Sequence, residues 1–267
     1  MKPGFSTKIC PDYSFEEICD LAEKTGFYHV EFQVERDQKH GLDKLATALP
    51  EREKVKKLLL ESEIEPRVIA TYVNLSRKSM DNIDDTLNRL RKWSKIAGEL
   101  GTRYLRVFPP TGYSDESNIT KMIKMVSEAV ADYPVAILIE NHGSMSTGKQ
   151  MRTVLDRAGV NNVAAIWDIG HTIVHGETVA ETYDYLSPYL KHVHIKDFAR
   201  IKEKDNDNPY DSWKKFVQFG AGDMPLREFF SLLKNKGYDG ALSVEIQAKY
   251  DSVENYLLEA KKLIQNS

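Results

Sequence analysis

A chain of 267 residues with 41% hydrophobic and 29% charged residues has the composition of a globular protein with a large core. Its formal charge of -3 argues against a nucleic-acid surface, which needs clustered Lys and Arg, and no apolar run approaches membrane-spanning length. Two cysteines, Cys10 and Cys19, are too few for a disulfide scaffold and there is no apolar leader, so a cytoplasmic protein is expected.

Short β-prone runs alternate with amphipathic segments along the whole chain. FSTKIC (5–10) reads as a first strand. SFEEICDLAEKTG (14–26) opens on Ser14 with Glu17 three residues on, a capping box, and closes at Gly26, which predicts a helix. YHVEFQ (28–33), RVIATYV (67–73) and RYLRVFP (103–109) supply the next strands, with amphipathic helices at EREKVKKLLLESE and from Asn82 to Leu100. After the helical segment NITKMIKMVSEAVADY come VAILIENH (135–142), VAAIWDIGH (163–171), LKHVHIKD (190–197) and GALSVEI (240–246), and SVENYLLEAKKLI closes the chain as a helix. Strands linked by crossover helices, in a chain close to the roughly 250 residues usual for the fold, predict one (β/α)8 barrel spanning residues 1–267. The stretch from Phe198 to Pro225 is polar and long for a βα connection. Following strand seven, it is expected over the barrel mouth as a lid or binding loop.

Glu140, Asp168, His194 and Glu245 each stand at the carboxyl end of one of the last four runs. Taken singly, each has a structural explanation, such as a helix cap, a strand end or a hydrogen-bonded core histidine. Taken together they converge only in a barrel, where bare carboxylates would repel one another and a dication would favour their ionised forms. Three carboxylates and an imidazole without thiolate suit one Mn²⁺, Mg²⁺, Co²⁺ or Zn²⁺ ion. Strand alternation turns His192 and His194 to the same face, with His192 one layer deeper. Glu31 and Arg106 fall on inward positions and are read as a buried ion pair or a floor to the pocket. Tyr72, Phe108 and Trp167 are candidates for the mouth lining, and Gly220, Ala221 and Gly222 for a turn returning the loop or, as the alternative, for backbone N–H groups that bind a phosphate.

The series Glu140-Asn141-His142-Gly143, Asp168-Ile169-Gly170-His171, His194-Ile195-Lys196-Asp197 and a terminal Glu245 resembles the sugar phosphate isomerase/epimerase group of xylose-isomerase-like TIM barrels. That superfamily also includes ketose 3-epimerases, hydroxypyruvate isomerase, inosose dehydratase and endonuclease IV. The resemblance implies that Glu140, Asp168, His194 and Glu245 hold one divalent ion, and that Glu140 and Glu245 exchange a proton with carbon on opposite faces of the substrate. It further implies substrate contacts from His171 and Arg200, whereas His175 has no matching role and reads as helical surface. The implied activity is isomerisation or epimerisation of a sugar or related polyhydroxy carbonyl compound through an enediolate.

Position 146 is a serine where the ketose 3-epimerases carry a further substrate-contacting Glu, so that specific assignment does not transfer. A metal-dependent dehydratase of the inosose or dehydroshikimate type is the nearest competitor, since the same proton is removed before a hydroxyl leaves. An endonuclease IV-like site would need extra histidines, but strands three and four end in Thr71-Tyr72-Val73 and Phe108-Pro109-Pro110, and no Asp-x-His follows His194. A non-catalytic sugar-binding barrel would have no use for a pair of carboxylates suited to acid and base roles. Expected partners are a small sugar or polyol-derived substrate, no nucleic acid and no membrane, with a homo-oligomer by analogy alone.

Overall fold

A computed structural model of the chain describes residues 1–34, 39–42, 49–200, 215–246 and 252–267. Eight parallel strands form a closed barrel: β1 (Lys2–Ser6), β2 (His29–Gln33), β3 (Glu65–Asn74), β4 (Tyr104–Phe108), β5 (Ala136–Glu140), β6 (Val163–Asp168), β7 (Leu190–Ile195) and β10 (Ala241–Val244). Each strand neighbours the next in the sequence, and β1 closes the ring against β10 with Phe5 opposite Val244. The remaining two strands, β8 (Phe198–Ala199) and β9 (Lys215–Phe216), pair antiparallel outside the barrel. Around it lie α1 (Phe15–Thr25), α2 (Leu49–Glu61), α3 (Arg77–Asp81), α4 (Ile83–Leu100), α5 (Glu116–Ala129), α6 (Gly148–Ala158), α7 (Ile169–Val174), α8 (Val179–Leu186), α9 (Leu226–Asn235) and α10 (Val253–Gln265).

Alternation along the strands builds two distinct cores. Outward residues such as Phe32, Leu105, Ile139, Trp167, Val193, Ile195 and Val244 join the helices in one large apolar layer. Inward residues Val68, Leu138, Ala164 and Ile166 fill the lower barrel, with Tyr104 packed against them. Two residues further along the same faces the chemistry changes: Arg106, Glu140, Asp168 and His194 are inward, buried and charged or polar. The barrel is therefore plugged with hydrocarbon below and open to polar chemistry at the carboxyl ends of its strands.

Helix punctuation follows the sequence closely. Ser14 accepts from the Glu17 amide while the Glu17 side chain accepts from the Ser14 amide, and Gly26 ends α1 with φ 72°. The same reciprocal cap forms at Thr147 with Gln150 for α6, and at Thr178 with Glu181 for α8. Neither helix, nor α9, was picked out among the amphipathic segments of the sequence.

The first strand departs from expectation. It runs from Lys2 to Ser6, and Thr7–Ile9 forms a single 3-10 turn rather than continuing the strand. Gly4 is required where the strands approach, because a Cβ there would collide with the His29 carbonyl oxygen. The run VAAIWDIGH also ends as strand at Asp168 and becomes α7. Cys10 and Cys19 are both free and buried.

Candidate metal centre

The four strands carrying the expected ligands are consecutive in the ring, so their ends meet. Asp168 lies opposite His194 across β6 and β7, and His194 lies opposite Ser243, two residues before Glu245. His194 Nδ1 sits 2.8 Å from Glu140 Oε1, 3.6 Å from Glu245 Oε2 and 4.0 Å from Asp168 Oδ2. One ligand atom from each of Glu140, Asp168, His194 and Glu245 falls within 4.8 Å of all the others. All four side chains are buried. Three oxygen donors and one imidazole nitrogen converging in this way fit a hard or borderline dication.

Local structure aims each group. Asp168 caps α7: Oδ1 accepts from the Gly170 and His171 amides at 2.8 and 3.4 Å, which leaves Oδ2 turned to the site. Asn141 grips the Asp168 backbone on both sides, accepting from its amide at 2.7 Å and donating to its carbonyl at 3.1 Å. His194 Nε2 lies 2.7 Å from Glu31 Oε2, and His192 Nε2 lies 3.1 Å from the same oxygen. Glu31 therefore orients the imidazole so that Nδ1 faces the three carboxylates, the arrangement in which a carboxylate backs a metal-ligating histidine.

Glu31 and Arg106 do lie beneath the pocket, but each has other partners than the sequence reading gave. Arg106 Nε donates to Glu140 Oε2 at 2.8 Å and Nη2 contacts the same oxygen, while the guanidinium stacks 4.4 Å above Phe108. Lys196 Nζ stands 2.5 Å from Asp168 Oδ2 and 2.8 Å from Glu245 Oε2, and Lys8 Nζ lies 3.5 Å from Glu245 Oε1. The site thus interleaves anions and cations, which fixes its titration. Burial disfavours ionised Glu140 and Glu245, yet Arg106 and His194 together outweigh it at Glu140 and Lys196, His194 and Lys8 at Glu245, and both stay well below the usual carboxylate range. Burial likewise disfavours charged His194, but Glu31, Glu245 and Glu140 push it up to about 10. His171 goes the other way: burial, only partly offset by Asp168, pushes it down to about 4.

Above these residues is a cavity of about 180 Å³, walled by Lys8, Tyr72, Arg106, Phe108, Glu140, His142, His171, Lys196, Phe216, Glu245 and Ile246. The expected substrate contact His171 is part of this wall, its ring 4.6 Å from that of His142. Arg200, the other expected contact, is not among the wall residues; it is exposed at the loop root, where its amide donates to Asp223 Oδ2 at 2.8 Å. His175 is exposed at the end of α7, as read. Tyr72 reaches the wall through a break in strand register between Ala70 and Val73, where it adopts φ 54°, a strained value for a residue with a Cβ. Trp167 does not line the mouth: it points outward, its indole N–H donating to Thr172 Oγ1 at 3.0 Å and its ring packed on Phe229.

The long connection is anchored at both ends of its root. Phe198 and Ala199 pair with Phe216 and Lys215, and Asp197 Oδ2 accepts from the Gly220 and Gly222 amides at 2.8 and 3.0 Å. Those glycine amides close a turn, in line with the sequence reading. Phe216 contributes to the cavity wall, and residues 201–214 of the expected lid, Phe198 to Pro225, lie outside the described residues. Ser146 sits in the turn after β5, its hydroxyl donating to the Gly143 carbonyl at 2.5 Å.

The roles of Lys8 and His142 and the Glu31–His194 contact were not drawn from the sequence. Glu31 and Lys196 were accessible from strand alternation. Lys8 was not, because Thr7–Ile9 is a 3-10 turn to which strand alternation does not apply.

Inosose dehydratase of Lacticaseibacillus casei is 27% identical over 143 residues, 49% of this chain and 48% of that protein, so the chain spans about half the length of such curated relatives. Among solved structures, a probable 3-DHS dehydratase, AsbF, from Bacillus anthracis superposes with a TM-score of 0.81 at 17% identity, covering 100% of this chain and 99% of that one. The IOLI protein with a bound zinc atom gives 0.77 at 17% identity, covering 100% and 97%. Residues 19–266 match the model of the xylose isomerase-like TIM barrel, and the chain belongs to that family.

Proposed function

We propose that the protein is a divalent-metal-dependent enzyme that moves a proton on the carbon beside a carbonyl, isomerising or epimerising a small polyhydroxylated compound. The observation that carries this reading is the convergence of Glu140, Asp168, His194 and Glu245 within 4.8 Å, with Glu140 and Glu245 lining a cavity. Those four residues would hold the ion, which would supply Lewis-acid chemistry by polarising a carbonyl and so lowering the cost of removing the neighbouring proton. Glu140 and Glu245 reach the cavity from strands on either side of His194, one carboxylate to accept a proton and one to return it. Arg106 and Lys196 keep both ionised and therefore able to accept. The paired rings of His142 and His171, held neutral by burial, are placed to hydrogen-bond substrate oxygens. Tyr72, Phe108 and Phe216 exclude water from the rim.

A dehydratase is the second reading, favoured by the inosose dehydratases among the curated relatives. In that case the carboxylate that took the proton would return it to the departing hydroxyl, which would leave as water, with the neutral His142–His171 pair hydrogen-bonding that oxygen. Turnover in deuterated water with Mn²⁺, over a panel of ketoses, inososes and keto acids, separates the two. Deuterium in a product of unchanged formula supports isomerisation or epimerisation, loss of water supports the dehydratase, and no metal-dependent turnover or exchange on any of them counts against both.

A further inference from the structure

The cavity wall holds more positive charge than the candidate metal site can use. Arg106 is 2% exposed and lines the cavity; Nε and Nη2 are engaged by Glu140, but Nη1 is buried with no acceptor among the described residues. A buried guanidinium nitrogen without an acceptor is costly, and a ligand oxygen would relieve it. The ammonium groups of Lys8 and Lys196 both rest on carboxylates, Glu245 and, for Lys196, Asp168. Those are the same carboxylates a dication would engage. With the ion in place and His194 neutral as a ligand, three carboxylates face a dication and three cationic side chains. Glu31 beneath His194 cancels one more charge, and one positive charge remains before any proton has moved.

We infer that Arg106, Lys8 and Lys196 hold an anionic group of the substrate, so that the enzyme acts on a polyhydroxylated carbonyl compound bearing a carboxylate or phosphate rather than on a neutral sugar. The inference rests on the metal-dependent reading above and narrows it. Arg106 presents the planar donor geometry that oxyanions fit, and the two lysines add point charges on the Glu245 side of the cavity. A cavity of about 180 Å³ accommodates a compact ligand, so the anion and the reacting carbon lie on one small molecule.

The test is calorimetric titration of the Mn²⁺-saturated protein with three unreactive six-carbon probes, D-sorbitol, D-gluconate and D-sorbitol 6-phosphate. At least one anion is expected to bind about tenfold or more tightly than sorbitol. Preference for gluconate identifies a carboxylate and preference for the phosphate ester a phosphoryl group. Lys8→Gln, at a partly exposed position, is expected to shrink that preference severalfold without weakening Mn²⁺ binding. Equal binding of all three probes, or an unchanged preference in Lys8→Gln, overturns the inference and leaves the metal reading intact. A protein that takes up no Mn²⁺ in the preceding titration overturns the metal reading itself.

Discussion

Metal uptake at this site is expected to expel a proton, and His194 sets how much that costs. Both ring nitrogens face carboxylates, Nε2 toward Glu31 at 2.7 Å and Nδ1 toward Glu140 at 2.8 Å, and despite burial the surrounding Glu31, Glu245 and Glu140 push the imidazole up to about 10. A ligating nitrogen must be bare, so near pH 7 each ion displaces one proton. With the imidazole about three pH units above the medium, Mn²⁺ affinity at pH 7 lies roughly a thousandfold below that of the deprotonated site and climbs about tenfold per pH unit to pH 9. Calorimetry in two buffers of unlike ionisation enthalpy reads the proton count directly, and the expected value is about one proton per ion. A pH-independent affinity with no proton released would refute the reasoning, because His194 would then be either neutral beforehand or no ligand. The same shift has a consequence for the metal-free fold. A histidine whose folded value exceeds its unfolded one stabilises the fold fully below about pH 6.5, and that contribution is lost as the pH rises toward about 10. Metal-free protein is therefore expected to lose stability across that window, whereas Mn²⁺-saturated protein is not.

Glu31→Gln removes the carboxylate behind His194 and is expected to weaken Mn²⁺ binding about 10–100-fold while lowering the number of protons released; an unchanged titration would show that Glu31 does not act through the ligand. Asp197→Ala leaves the Gly220 and Gly222 amides without their acceptor, and urea unfolding is expected to show a loss of roughly 2–4 kcal/mol. A loss below about 0.5 kcal/mol would mean that the turn finds other partners. Trp167→Phe deletes the bond to Thr172 and part of the contact with Phe229, for an expected cost of about 1–3 kcal/mol with Mn²⁺ affinity unaltered. Altered Mn²⁺ affinity in this variant would contradict the outward placement of the ring.

Periodicity alone was enough for the barrel and for the convergence of Glu140, Asp168, His194 and Glu245. Strand alternation placed Glu140 above Leu138, Asp168 above Ile166 and His194 above His192, because a period of two leaves no choice of face once one residue of a strand is known to be inward. Capping boxes at Ser14, Thr147 and Thr178 are local signals, legible from four residues each. Trp167 was misplaced by ignoring the same parity rule, since its neighbours Ile166 and Asp168 are both inward.

Pairing across the barrel was decided only in three dimensions. Strand parity shows that Glu31 and Arg106 are inward, but which of the other inward groups each meets depends on strand stagger, and it turns Glu31 to His194 and Arg106 to Glu140. Lys8 enters the site because β1 ends at Ser6 and a 3-10 turn follows, and Tyr72 because β3 slips register before Val73. Spacing along the chain determined which residues could face the centre of the ring. Their distances, and with them the ionisation of His194 and the surplus of cations around Glu245, follow from closure of the ring, which brings together strands more than a hundred residues apart.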